Sequence, residues 1–319
     1  MSIVAGTQSP TSAPPGMVWI RGGRFTMGSD DHYPEERRAH PVQVDGFFID
    51  VHTVTNRQFA EFVAATGYVT VAERTPHPSL FPGADPADLV PGALVFQGTA
   101  GPVALTDHRQ WWRFVPGADW RHPEGPDSDI DQRQDHPVVQ VAYADALAYA
   151  RWAGKSLPTE AQWEYAARGG LEGAPYAWGE ELTPDGRVMA NTWHGRFPWE
   201  NLAPAGYRGT MPVTSFPPNG YGLYEVCGNV WEWTRDLYTE HHPAPAPSCC
   251  APVDPRRNPR GASLESSLDR STGLPRRVIK GGSWLCAPSY CLRYRPAARQ
   301  PQSVDSATNH IGLRCVRLP

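Results

Sequence analysis

The sequence predicts a mixed α/β (α+β) chain, folded as one compact, loop-rich domain with little regular secondary structure. Three observations lead there. Thirty Gly and 34 Pro in 319 residues leave little room for long helices or strands, since each is poorly tolerated inside them. Twelve Trp, 12 Tyr and 10 Phe bury large areas per residue, so loops between short elements still have a core to pack on. No internal repeat and no linker of altered composition divides the chain, so its length serves one core. The 40% hydrophobic and 19% charged content is that of a globular protein and excludes general disorder. A net charge of −4 supplies no electrostatic reason to expect nucleic acid or an anionic membrane as partner.

Each element follows in order. Residues 1–16 read as a flexible Ser/Thr/Pro/Ala tail, without the basic and apolar regions of a signal peptide. The domain spans 17–319. MVWIRGGRFTMGS predicts two short strands around Gly22-Gly23, and HPVQVDGFFIDVHTVT continues the strand-like alternation. Thr55 then caps a helix with Phe59, Phe62 and Val63 on one face. Residues 74–136 show no period and are expected to be packed loop. PVVQVAY reads as a strand, and ADALAYARWAG as a helix stopped by Gly154. In LPTEAQWEYAARGG, Thr159 and Gln162 form a capping box ahead of a Gly-Gly stop. A second Pro/Gly-rich stretch, 170–222, leads into LYEVCGNVWEWTRD. Residues 240–277 read as a polar insertion, and RVIKGGSW and IGLRCVRLP supply closing strands.

Six cysteines in 319 residues, with no stretch near 18 apolar residues, point to a reducing, cytoplasmic setting and no transmembrane helix. Two of the six, Cys286 and Cys291, lie in GGSWLCAPSYCLRYRPAARQ. This C-x4-C spacing admits a short-loop disulfide, part of a metal site, or a reactive pair. Structural zinc asks for four ligands, and two thiolates alone suit a soft ion of low coordination such as Cu(I). His241, His242, Cys249 and Cys250 cluster within the insertion and read as a solvated loop. Cys227 and Cys315 read as buried free thiols.

GGRFTMGS, LPTEAQWEYAARGG, GNVWEWTRD, GGSWLCAPSYCLRYR and IGLRC, in this order across 17–319, resemble the formylglycine-generating enzyme family, the sulfatase-modifying factors. The resemblance implies a loop-rich fold distantly related to C-type lectin domains. It implies an oxidase that uses O2 and Cu(I) to convert a cysteine, within C-x-P-x-R of an unfolded type I sulfatase segment, to Cα-formylglycine. Carried onto this chain, Cys286 and Cys291 are the copper ligands, and Ser283 lies in the oxygen and substrate pocket. Trp231 forms its aromatic wall and Tyr290 lies against the peptide, with Arg293 and Arg295 as candidate cations and Arg295 assigned to the substrate. Ca²⁺ is implied at two places: Glu225, Gly228, Val230 and Glu232, and a second set containing Asn191, Thr192 and Tyr207, where the usual aspartate is Ala205. For the substrate arginine, Thr53 and the vicinity of His77 lack the family's acids, and Glu73, Asp85 and Asp88 are the nearby substitutes. The chain is expected to act as a monomer, without nucleic acid or membrane. Two rivals share the scaffold: an iron-dependent sulfoxide synthase of the ergothioneine type, and a non-catalytic lectin-like binding module.

Overall fold

The computed structural model describes residues 12–80, 83–242, 263–270 and 272–319. Strands β1 (Met17–Ile20) and β4 (Phe47–Asp50) pair antiparallel, and β11 (Val316–Arg317) adds to the other edge of β4. The first and last ordered strands of the chain therefore share one sheet. Between β1 and β4, β2 (Gly23–Met27) and β3 (His40–Val44) form a separate hairpin. Later come β7 (Trp231–Leu237), β8 (Arg276–Lys280), β9 (Arg299–Ser303) and β10 (Ile311–Gly312). These make a four-stranded sheet ordered β10-β7-β8-β9, in which only β10 and β7 run parallel.

The helices form where local chemistry prescribes. In α1 (Asn56–Thr66) the Thr55 side chain accepts from Gln58 N–H while Gln58 returns a bond to the Thr55 amide, and Gly67 ends the helix at φ +65°. Phe59, Phe62 and Val63 are its buried face. α2 (Tyr143–Trp152) is followed by Gly154 at φ +65°. α3 (Glu160–Ala167) has the Thr159/Gln162 capping box and lies against β2, β3, β7 and β8. A one-turn helix, α4 (Leu264–Ser267), precedes β8. Among the described residues, no helix is long and apolar enough to cross a membrane.

Three expectations change. Residues 74–136 are not loop throughout: β5 (Gly92–Phe96) and β6 (Trp112–Pro116) pair antiparallel. Their pattern is obscured because exposed Leu94 and Phe114 break the apolar/polar alternation. Residues 137–142 are buried but join no sheet beyond a single bridge from Pro137 to Thr55; Gln140 adopts φ +59° and turns the chain, and Tyr143 already begins α2. The 240–277 insertion is not wholly solvated. His242 is buried against His40, and β8 already begins at Arg276. Cys249 and Cys250 lie outside the described residues.

Buried arginines bind these short pieces together. Arg314 donates to both Glu232 oxygens on β7, to the carbonyls of Asp50 and Val51 after β4, and to the Tyr224 carbonyl. Glu232 also accepts from Trp163 Nε1 at 2.6 Å. Replacing Arg314 with Ala strands a buried carboxylate and three carbonyls, and is expected to cost about 3–5 kcal/mol of unfolding free energy. Urea denaturation monitored by tryptophan fluorescence checks this. A loss under about 1 kcal/mol, the range of an exposed pair, is the contrary result.

Candidate active site

The loop after β8 is built by two glycines. Gly281 and Gly282 take φ +95° and +73°. A Cβ added to Gly282 would meet the Arg293 carbonyl and the Tyr294 amide at 2.9 Å. Only glycine lets the outgoing and returning strands of the loop touch. Two tight turns follow: Cys286 N–H donates to Ser283 O at 2.9 Å, and Cys291 N–H to Ala287 O at 2.7 Å. They bring the Cys286 and Cys291 sulfurs to 3.0 Å, as free thiols. The disulfide alternative is therefore not the state described, because bonded sulfurs lie about 2 Å apart.

The two thiols are chemically unequal. Burial, with the neighbouring sulfur adding to it, pushes Cys286 well above the ordinary thiol range. Cys291 is drawn down to about 7, foremost by hydrogen bonding from Cys286; burial opposes this and Arg293 adds to it. Arg293 Nη1 stands 3.9 Å from Cys291 Sγ. Cys291 is thus the more acidic member of the pair, and the one that ionises first as pH rises.

Both sulfurs face a cavity of about 150 Å³, which Ser283, Trp231, Tyr290 and Arg293 also line. Ser283 Oγ accepts from Leu285 N–H at 3.3 Å. The residues expected at the reacting centre from sequence are brought together, with one exception. Arg295, expected at the substrate, is 1% exposed and is held by Glu36 at 2.8 Å, away from the lining. The Glu36 carboxylate makes it a structural cation.

Sequence reasoning missed the opposite wall. Trp111, Trp112, Phe197, Gln300 and His310 complete the cavity. Tyr290 stacks flat on Phe197 at 4.4 Å, with Trp111 edge-on at 5.6 Å. Trp111 and Phe197 belong to a second apolar cluster with Trp193, Trp284 and Leu285. The Trp-Trp pair at 111–112 was the available signal, hidden in a stretch without a period. His310 rests on Trp112 at 4.8 Å and shares a 2.9 Å hydrogen bond between its Nδ1 and Thr308 Oγ1. Burial pulls it down to about 3, so it stays a neutral imidazole at physiological pH.

Among the described residues, no carboxylate lines the cavity. Glu73 is tied to Arg121 and to its own capping turn, while Asp85 caps the turn that carries Asp88. The residues expected to hold Ca²⁺ divide. Glu232 is committed to Arg314 and Trp163, where a cation was expected, and Glu225 accepts from the amides of Thr214 and Phe216. Asn191, by contrast, has a buried side-chain oxygen without a partner, beside Gly228 and Asn229. Such an orphan oxygen fits a hard cation. Thr192 is half-buried next to it in the chain, and Tyr207 packs against Phe216. Among the described residues no group of three or more His, Cys, Asp or Glu is placed to hold a metal ion. From that set, the described residues put the two cysteine sulfurs and the His310 imidazole on the cavity lining.

The inequality of the thiols has a measurable consequence. In metal-free protein, alkylation of Cys291 by iodoacetamide should rise with pH through a midpoint at about 7 and level off only above that, while Cys286 reacts far more slowly throughout. Peptide mapping of the alkylated sites separates the two, and equal rates would contradict the assignment.

The chain matches the model of the sulfatase-modifying factor enzyme 1-like domain over residues 4–319. It is 58% identical over 305 residues to the formylglycine-generating enzyme of Mycobacterium tuberculosis, covering 95% of this chain and 98% of that protein. Identity to the formylglycine-generating enzyme of Thermomonospora curvata is 47% over 317 residues, covering 98% and 96%. Among solved structures, PvdO from Pseudomonas aeruginosa superposes with a TM-score of 0.61 at 25% identity, over 95% of this chain and 94% of that one. The match along the chain, the shared fold and the paired cysteines on one cavity agree: this chain belongs to the formylglycine-generating enzyme, or sulfatase-modifying factor, family.

Proposed function

We propose that this chain oxidises a cysteine of a sulfatase polypeptide to Cα-formylglycine, with Cu(I) held by Cys286 and Cys291 and O2 as oxidant. The observation that carries the reading is the free cysteine pair, 3.0 Å apart, on the floor of an aromatic-walled cavity. The donor set fits. Two sulfurs with no carboxylate beside them suit a soft monovalent ion and disfavour Ca²⁺ or Mg²⁺. When bound, Cu(I) supplies O2 activation and a coordination position for the substrate thiolate.

The chain's own residues do the rest. Trp231, Trp111 and the Tyr290–Phe197 stack enclose the reacting centre and exclude water from it. Tyr290, 36% exposed, presents an aromatic edge at the mouth, where an extended peptide carrying C-x-P-x-R would lie. Ser283 Oγ, fixed by the Leu285 amide, offers its hydrogen to the cavity beside Cys286. Arg293 offsets the charge on Cys291. Uncharged His310 adds a polar group without adding a competing cation.

Calcium is proposed at the Asn191 oxygen, with main-chain oxygens near Thr192 and Gly228 as the remaining ligands. The half of the expected set that rests on Glu232 is not retained, since Arg314 occupies that carboxylate.

Anaerobic titration should give about one Cu(I) per chain, as one two-thiolate site requires. The loaded protein should consume O2 while converting a C-x-P-x-R peptide to the formylglycine product, read by mass spectrometry. Cys286→Ser and Cys291→Ser should each abolish turnover with thermal melting unchanged. Turnover retained by both variants removes the mechanism. Chelation with EGTA should lower the melting temperature and added Ca²⁺ restore it, in wild type but not in Asn191→Ala. A melt indifferent to Ca²⁺ removes that site.

A further inference from the structure

A turn near the N-terminus reaches the cysteine loop from 258 residues away in sequence. Leu292 N–H donates to the Tyr33 hydroxyl at 2.9 Å. The Arg293 guanidinium lies 3.8 Å from the centre of the Tyr33 ring. A single oxygen of Glu35, Oε1, accepts from both Arg293 Nε at 3.1 Å and Nη2 at 2.6 Å. The remaining nitrogen, Nη1, is the one 3.9 Å from Cys291 Sγ. The turn is itself anchored, because Glu36 takes Arg295 and the Glu35 carbonyl accepts from Arg299 Nη1 at 3.3 Å.

We propose that Tyr33 and Glu35 are positioning residues that clasp the Arg293 guanidinium so that its one free nitrogen, Nη1, is held beside the Cys291 sulfur. An arginine side chain has many rotamers to lose when it is held in one place, and Arg293 is 21% exposed at a cavity it lines. Left free, it spends its time in water or across the cavity. The ring beneath fixes the plane of the guanidinium, and the fork onto one oxygen fixes its rotation. What remains is Nη1, aimed at sulfur. Two thiolates around a monovalent cation carry net negative charge, so a cation fixed at one sulfur lowers the cost of holding that ion in a buried place. This part rests on the copper reading above; the effect on Cys291 itself does not.

The experiment has a metal-free arm and a metal arm. In the first, iodoacetamide labelling of Cys291 at pH 7 is timed by peptide mapping. Glu35→Ala should slow it about threefold, as expected for loss of a partly exposed charge-assisted bond. Glu35→Gln should restore the wild-type rate, because the amide oxygen accepts both N–H groups as Oε1 does. Tyr33→Leu should slow it likewise. In an Arg293→Met background, Glu35→Ala should change nothing further, since its route to the sulfur is gone. In the second arm, competition with a chromogenic Cu(I) chelator should rank the affinities in the same order. The clasp is overturned if Glu35→Ala labels as fast as wild type, if Glu35→Gln fails to rescue, or if the Glu35→Ala effect persists without Arg293. If wild type binds no Cu(I) while the labelling pattern holds, the copper reading fails and the clasp stands.

Discussion

Arg314 is the residue on which the architecture depends. Its guanidinium joins β7 through Glu232, the end of β4 through two carbonyls, and the loop before β7 through Tyr224. Loops cannot satisfy their own backbone as helices do, and a buried carbonyl without a donor costs free energy comparable to a lost hydrogen bond. A planar cation with five N–H donors resolves several such carbonyls at once. Glu232 makes the burial of that cation tolerable, and Trp163 completes the carboxylate's shell.

The same device recurs around α3. Glu164 receives Lys280 at 3.0 Å and Arg168 at 2.7 Å, while Glu160 receives Arg299 at 2.7 Å. Burial alone would raise the Glu164 carboxyl, yet Lys280 and Arg168 outweigh it and hold the group at about 2. Lys280 ends β8, immediately before the two glycines that open the cysteine loop. Arg295 and Arg299 close the far side of that loop onto Glu36 and Glu160. The scaffold's ion pairs and the floor of the cavity are therefore one continuous structure, and the sulfurs are held by residues fixed at both ends.

This rigidity explains how a short loop can hold two sulfurs of unequal acidity. Burial raises Cys286, while Cys291 has a neighbouring S–H donor and a cation within reach. The aromatic walls then set a low-dielectric surround in which such differences persist.

Local signals in the chain were enough to determine α1, α2, α3 and most of its strands, while spacing alone left the cysteine pair open between a disulfide, part of a metal site and a reactive pair. Thr55, Thr159 and their glutamines act within four residues, so these features need no distant partner. The resemblance of GGSWLCAPSYCLRYR to a known family, and not any local signal, singled out Ser283, Cys286, Cys291 and Tyr290. Tertiary structure alone decided the rest. Trp111, Phe197 and His310 come to the cysteines from separate loops, and Arg295 and Glu232 find buried partners 259 and 82 residues away. Tyr33 and Glu35 meet Arg293 only after β1 to β4 have folded back. Long-range contacts among aperiodic segments leave no trace in local spacing, because their energetics depend on burial that exists only once the chain is assembled.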